Sequence, residues 1–224
     1  MRLWVRHNGL SLFFFVLFAG ALVGQSLAGQ RVFNEEQLQH GGEPISYARY
    51  LVSSHFGSAV LENWQSEYLQ FTLFILATVW LIQRGSNESK PPADLGLESD
   101  RKQLVGRHAQ QNSPRWAKVA GWRRRLYENS LLVLMTSIFV AAWAGQSVTA
   151  WSEFNEEQRE HGESSASWLA YLGDADFWEK TLQNWQSEFL AVGSMAVFTI
   201  YLRQRGSPES KPVGAPHHAT GIEG

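Results

Sequence analysis

Cysteine is absent from this chain of 224 residues, and its absence excludes several kinds of chemistry. Without a thiol there is no disulfide framework, no thiolate nucleophile and no thiolate metal ligand. A strong charge of one sign is also missing, because 19 basic and 21 acidic side chains give a formal net charge of −2. That balance gives no indication of a nucleic-acid partner. The sequence also lacks a nucleophile–base set, a phosphate-binding loop and a complete set of metal ligands, so we predict no enzyme and no cofactor.

The apolar residues are segregated into four runs, although the mean hydropathy of −0.23 is typical of a soluble protein. The runs at 10–24 and 131–148 have about the length that crosses a bilayer as a helix. The runs at 68–82 and 189–202 are shorter than the roughly 20 residues required, and a buried helix of a soluble protein is an alternative interpretation of them.

An internal repeat relates the two halves of the chain. Adding 121 to a residue number carries several short motifs onto identical letters without any gap. Those motifs are GQS at 24–26, FNEEQ at 33–37, NWQSE at 63–67, QRGS at 83–86 and ESKP at 88–91. The run at 10–24 also fits a cleaved secretory signal, but its counterpart lies in mid-chain, where no signal peptide occurs.

The repeat predicts the domain organisation, since a fixed period marks a duplicated unit. The predicted parts are a first membrane hairpin repeat at 1–92, a polar basic cytoplasmic linker at 93–121, a second membrane hairpin repeat at 122–213 and a disordered tail at 214–224.

The distribution of Lys and Arg predicts the orientation. The connection 83–130 holds ten of the 19 basic residues, whereas the segments 28–67 and 149–188 hold two each. Because positive charge favours the cytoplasmic side, we expect both termini and the linker in the cytoplasm. The predicted fold is all-α, with four transmembrane helices arranged as two duplicated two-helix hairpins of the same orientation, and with partly helical segments outside the membrane.

Capping residues predict where the outer helices begin. Ser152 or Asn155 can cap a helix that has carboxylates in its first turn. Asp174 or Asp176 can start another helix, which runs through the second NWQSE motif and ends near Arg205.

Glu67 and Glu188 end the two NWQSE motifs at the predicted outer edge of the membrane, where an ionisable group is costly. One interpretation is a polar clasp in which the GQS and WQSE motifs satisfy each other by hydrogen bonds. The other interpretations are a proton or cation site and an interfacial carboxylate without a role. The candidate residues are Gln25, Ser26, Gln65, Glu67, Gln146, Ser147, Gln186 and Glu188.

Small residues at a spacing of four predict close packing of the first helix of each repeat. They are Gly20 with Gly24 and Ala141 with Gly145. A metal hypothesis comes from Glu36-x-x-x-His40 and Glu157-x-x-x-His161, but two ligands do not make a site, and a helix cap or solvated face is the alternative.

The GQS, FNEEQ…HG, NWQSE(F/Y)LQ and QRGS.ESKP stretches resemble a family of bacterial integral membrane proteins known as a domain of unknown function. The resemblance covers both halves of the chain, although Ala191 replaces the glutamine in the second copy of NWQSE(F/Y)LQ. It implies a multi-pass protein of the bacterial inner membrane, and it supplies no activity, cofactor or catalytic residue.

We therefore expect a multi-pass membrane protein of unknown biochemical role that is non-enzymatic and acts through assembly or through contacts with lipid or a partner. The expected partners are the lipid bilayer and either further copies of the chain or another membrane protein. The alternative is a small transporter or channel that uses the paired carboxylates at the membrane edge.

Overall fold

The computed structural model describes residues 2–222, and this part of the chain is helical with no strand. In chain order the helices are α1 (Arg2–His7), α2 (Gly9–Gln39), α3 (Tyr47–Tyr50), α4 (Ser54–Trp80), α5 (Trp122–Glu128), α6 (Ser130–Glu160), α7 (Trp168–Tyr171) and α8 (Ala175–Tyr201).

The helices recur at the same interval as the sequence motifs. Helices α2 and α6 have 31 residues each, and α4 and α8 have 27 residues each. The first residues of α2 and α6 are Gly9 and Ser130, and those of α4 and α8 are Ser54 and Ala175, so each pair is offset by 121 positions.

Helix α6 is continuous through Ser152 and Asn155, so the prediction that one of them caps a separate outer helix was wrong. The physical reason is that no Pro interrupts Ser130–Glu160 and its one Gly, Gly145, lies far from the expected cap. At 1.5 Å per residue the helix is about 46 Å long. This is longer than the roughly 30 Å thickness of the hydrocarbon core of a bilayer.

The predicted start of the last helix is confirmed. Asp174 precedes α8, and its Oδ1 accepts a hydrogen bond from the backbone amide of Asp176 at 2.9 Å. Asp176 lies in the first turn, where the helix dipole favours a carboxylate. The helix ends at Tyr201, short of the expected Arg205.

Helices α2 and α6 are long and apolar enough to cross a membrane, and they are the two described helices that meet this criterion. Helices α4 and α8 do not meet it, because the NWQSE motif and the charged residues before it lower their hydropathy.

The connection between the repeats contains turns and three short 3-10 helices, at Pro92–Asp94, Gly106–His108 and Arg115–Ala117. The described part of the tail also has contacts. The Lys211 ammonium, 1% exposed, donates hydrogen bonds to the carbonyls of Gly85 at 2.6 Å, His217 at 2.9 Å and Ala219 at 3.1 Å. The disordered tail at 214–224 stays a prediction, and its residues 223–224 lie outside the described residues.

The chain divides into two compact units. The first contains the residues up to Leu61 and Gly145–Phe177, and the second contains Glu62–Ala144 and the residues from Trp178 onward. The large buried side chains of the first unit include Tyr50, Tyr171 and Phe177. In the second unit many of the buried side chains are polar, among them Gln65.

Candidate functional site

The asparagine of each FNEEQ motif holds the chain that returns from the long helix. Asn34 accepts a hydrogen bond from the amide of Ile45 at 2.8 Å and donates one to the carbonyl of the same residue at 3.1 Å. Asn155 binds the amide of Ala166 at 2.8 Å and its carbonyl at 3.0 Å in the same way. The carbonyl of Ile45 also accepts a hydrogen bond from Gln30 at 3.0 Å, and that of Ala166 accepts one from Trp151 at 2.8 Å. The asparagine of the motif thus holds the loop that follows each long helix.

The next residues of each loop form a capped turn. Ser46 accepts a hydrogen bond from the amide of Arg49 and begins α3. Tyr47, at the first position of α3, hydrogen-bonds the hydroxyl of Ser26 at 2.7 Å. The same geometry recurs 121 residues later, where Ser167 caps α7 and the indole of Trp168 donates to Ser147 at 3.3 Å. Ser26 and Ser147 of the predicted clasp are therefore bonded to the outer turns.

A buried tyrosine closes each turn. Tyr171 donates a hydrogen bond to Asp176 at 2.9 Å, and its burial and this carboxylate raise the pKa of the phenol. Tyr50 lies 3.4 Å from Nδ1 of His55 and its pKa is also raised, chiefly by burial and further by Glu153. Since both phenols stay protonated at neutral pH, they act as structural donors or acceptors and not as bases.

The two histidines of the metal hypothesis close the ends of α2 and α6. The Nδ1 of His40 lies 2.9 Å from the carbonyl oxygen of Glu36, and that of His161 lies 2.9 Å from that of Glu157. A ring nitrogen that donates to the last turn of a helix satisfies one of its free carbonyls. Within residues 2–222 no group of three potential metal ligands is found.

The NWQSE motifs have partners of their own within the second unit. The indole Nε1 of Trp185 donates to Oε1 of Gln65 at 2.7 Å, and Nδ2 of Asn184 donates to Glu62 at 2.7 Å. The first bond joins one copy of NWQSE directly to the other. Gln65 is fully buried, and its Nε2 has no partner among the described atoms.

The remaining clasp residues differ between the copies. Gln146 is fully buried, and neither of its side-chain polar atoms has a hydrogen-bond partner in the described part of the chain, whereas Gln25 is exposed. Gln186 and Glu67 are exposed and Glu188 is half-buried. The pairing of GQS with WQSE stays a prediction, as does the titration of the two carboxylates.

The small residues of the two long helices also lie in different surroundings. A Cβ atom added to Gly145 would lie 2.9 Å from Cδ1 of Leu61, so this glycine permits a close contact within the first unit. A Cβ atom on Gly20 or Gly24 would meet no described atom within 4 Å, and Ala141 is exposed.

The QRGS.ESKP motif, which had no sequence interpretation, forms the turn that ends α4 and α8. The amide of Gln83 donates to Ser89 at 3.0 Å and that of Glu88 donates to Ser86 at 3.1 Å. Gly85 has a φ of +87°, a conformation that favours glycine. The second copy repeats both bonds, from Gln204 to Ser210 at 2.9 Å and from Glu209 to Ser207 at 3.2 Å.

These two turns also bring Glu88 and Glu209 to one cavity of the second unit, of about 270 Å³. Its apolar lining includes Phe71 and Phe74. Burial and the neighbouring Glu209 carboxylate raise the pKa of Glu88. The repeat of ESKP could have pointed to this pair, since it places the same carboxylate after both helices.

A larger cavity, of about 610 Å³, opens beside the ends of α2 and α6 in the first unit. Five charged side chains line it: Glu43, Arg49, Glu156, Arg159 and Glu160. Sequence reasoning missed this cavity, because the repeat draws attention to residues that the copies share and most of these are not shared.

Comparison with known proteins gives a family and no function. No curated protein and no solved structure matches the chain. One family model, described as a domain of unknown function (DUF6766), matches residues 1–222 and thus includes both copies of every motif. Because that match covers nearly the whole sequence, the chain belongs to the DUF6766 family.

Proposed function

We propose that the protein is a non-enzymatic, multi-pass membrane protein with four spans, formed by two duplicated helical hairpins, which acts by assembling with a second copy of itself. In this topology the two QRGS.ESKP turns lie on the cytoplasmic side of the membrane, and the two loops held by the FNEEQ motifs lie on the opposite side. In a bacterial cell this membrane is the inner membrane, as the resemblance of the motifs implies.

The membrane assignment rests on one observation: apolar residues are exposed and polar residues are buried, the reverse of a soluble protein. Only 6% of the most apolar window of α2 is buried, and 17% of that of α6. The one buried residue of α2 is polar, Ser26. In a soluble protein an apolar helix with so little contact would be exposed to water, whereas in a bilayer the same surface contacts lipid.

The exposed apolar side chains of α4 and α8 support the remaining two spans. On α4 the buried residues are mostly polar, among them Gln65 and Thr72, while Phe71 and Leu76 are exposed. On α8 two buried residues are polar, Thr181 and Thr199, and two are apolar, Phe177 and Ile200, while the exposed apolar residues include Phe189, Leu190, Met195, Val197 and Phe198. Polar groups on the inside and apolar groups on the outside are what a lipid solvent favours.

The case for assembly comes from the open glycine face of α2. Gly20 and Gly24 lie one helical turn apart, and no described atom comes within 4 Å of a Cβ added to either. Such a pair lets the backbone of a neighbouring helix approach closely. Since the equivalent Gly145 is already covered by Leu61, the uncovered copy is the one available to another chain.

The topology is testable with single cysteines, because the chain has none of its own. We expect a membrane-impermeant maleimide to label Gly41→Cys and Gly162→Cys in intact cells, and to label Gln103→Cys only after permeabilisation. Labelling of residue 103 in intact cells would exclude the four-span topology.

Assembly is tested by replacing both glycines with leucine and measuring the oligomeric mass in detergent or by photobleaching in lipid. Gly20→Leu with Gly24→Leu is expected to yield monomers, because the added side chains keep the helices apart. Gly9→Leu is the control, since Gly9 is also open but lies outside the glycine pair. An unchanged mass for the double variant would exclude this interface.

A further inference from the structure

The outer cavity of the first unit is formed by both repeats. The first repeat contributes the end of α2 and the loop that follows it, and the second contributes the end of α6. Phe33, Ile45 and Val52 form its apolar walls. A volume of about 610 Å³ lies in the range of roughly 300–1,000 Å³ that ligand pockets occupy.

The charges in this cavity are of both signs and are not neutralised by each other. Among the described residues, none of the five forms an ion pair within 4 Å. Arg159 donates its Nε to the carbonyl of Asn155 at 2.9 Å, and Glu160 accepts a weak hydrogen bond from Gln37 at 3.4 Å. Three carboxylates and two guanidinium groups therefore face one open space with most of their bonding capacity free.

The repeat provides an internal control for the role of these charges. Four of the five positions have uncharged counterparts in the other copy, 121 residues away. Glu43 corresponds to Ser164, Arg49 to Ala170, Arg159 to Leu38 and Glu160 to Gln39. By contrast, the residues that hold the loop are the same in both copies, as with Asn34 and Asn155.

The comparison of the two repeats distinguishes residues that the fold requires from residues that are available for binding. The loop of the second repeat has the same asparagine, serine cap and buried tyrosine without a charge at the positions of Glu43 and Arg49. The loop of the first repeat forms without a charge at the positions of Arg159 and Glu160. The fold therefore needs none of these four charges. Charged groups of opposite sign that converge on a concave surface, and that the fold does not need, are typical of a ligand site.

We propose that this cavity binds a short peptide with free termini, through contacts of its carboxylate with Arg49 and Arg159 and of its ammonium with Glu43, Glu156 and Glu160. The guanidinium groups are donors suited to a carboxylate, and the glutamates accept from an ammonium. The apolar walls contact the side chains of the peptide. A ligand with only one charge would leave one set of charged groups unpaired.

Depth along α2 favours a soluble ligand over a lipid headgroup of the same chemistry. Phe33 and Gln37 lie 9 and 13 residues beyond Gly24, the last residue of the apolar run. At 1.5 Å per residue this places the cavity roughly 14–20 Å outside the hydrocarbon. This step alone depends on the proposed membrane orientation, whereas peptide binding itself is measured in detergent and is independent of the cysteine-labelling result.

The probe is tri-alanine with free termini, titrated calorimetrically into the purified full-length chain. Its N-acetyl and C-terminal amide forms each remove one charge, and we expect them to bind at least about tenfold more weakly. Equal binding of the three peptides, or no saturable binding of tri-alanine, would overturn the proposal. Phosphoethanolamine is the competitor for a headgroup site, and displacement of the peptide at equal or lower concentration would assign the cavity to lipid.

The matched variants exchange each charged residue for its counterpart in the other repeat. Arg49→Ala with Arg159→Leu, and Glu43→Ser with Glu160→Gln, are expected to weaken tri-alanine binding at least about tenfold without changing the unfolding temperature. Glu35→Gln is the control, because Glu35 is the counterpart of Glu156 and does not line the cavity. Unchanged binding in both double variants would refute the assignment.

Discussion

Replacing Asn155 with alanine removes the side-chain hydrogen bonds that hold the loop between α6 and α7. Asn155 is 7% exposed and binds both the amide and the carbonyl of Ala166. The amide would lose its hydrogen-bond acceptor, at a cost of about 1–3 kcal/mol, whereas the carbonyl keeps the indole of Trp151 at 2.8 Å. Including the second lost bond, we expect Asn155→Ala to lower the free energy of unfolding by about 2–4 kcal/mol.

Asn34→Ala is the same change in the other copy and is expected to cost less, about 1–2 kcal/mol. Asn34 is half-buried, so water can reach the amide of Ile45 after the substitution. The assay is reversible unfolding in mixed detergent micelles, followed by helicity. Gln158→Ala, whose side chain has no hydrogen bond within the described residues, is the control and should change stability by less than about 0.5 kcal/mol. A cost for Asn155→Ala no greater than for this control would refute the reasoning.

Two further predictions concern charge and close packing. Burial and Glu209 raise the pKa of Glu88 above 4.5, so the stability that its protonated form contributes is present below that pH and is lost as pH rises through the folded-state value. The gain in unfolding free energy of Glu88→Gln over the wild type should therefore grow from pH 4.5 to neutral pH, and a gain that shrinks would contradict this. Gly145→Leu should destabilise the protein, because even its Cβ lies 2.9 Å from Cδ1 of Leu61, whereas Gly9→Leu meets no described atom within 4 Å of its Cβ and should change stability little. Equal melting temperatures for the two leucine variants would exclude the packing role.

Sequence reasoning predicted the features that depend on residues identical in the two repeats or adjacent in the chain. An ungapped offset of 121 residues predicted that helices recur at that interval, and the bounds of α2 and α6 follow it, whereas the duplicated membrane hairpins stay a prediction. The Asp174 cap was also predictable, because a capping aspartate and the helix it starts are adjacent in sequence. Local rules are sufficient where the interacting groups are close along the chain.

The features that sequence reasoning missed depend on hydrogen bonds to backbone groups, which every residue type has. Asn155 was predicted as a helix cap because its type fits that role, but it binds the backbone of Ala166, 11 residues later. Any residue except proline offers the same amide, so composition does not indicate the partner. The invariance of Asn34 and Asn155, beside the divergent Ile45 and Ala166, is the signal that was available.

The outer cavity was missed for the opposite reason. Its charged residues differ between the two repeats, so a search for residues that are identical in both repeats does not find them. Once the shared residues are assigned to the fold, the residues that differ are the candidates for a function that one copy has and the other lacks. The clearest cases are Arg49 against Ala170 and Arg159 against Leu38, because an exposed arginine near the end of a helix contributes little to the stability of the fold.

The hydrogen bond between the two NWQSE motifs gives the last prediction. Trp185 donates to the fully buried Gln65 at 2.7 Å, so Gln65→Leu leaves a part-buried indole N–H without this acceptor. We expect that variant to cost about 1–3 kcal/mol, and the cycle with Trp185→Phe to give a coupling of about 0.5–1.5 kcal/mol. Gln186→Leu is the matched control, since Gln186 is the exposed counterpart of Gln65 and should change stability little. A coupling near zero would mean that the repeated amide does not stabilise the contact between the copies, and the hydrogen-bonding explanation for the recurrence of NWQSE would then depend on the GQS clasp alone.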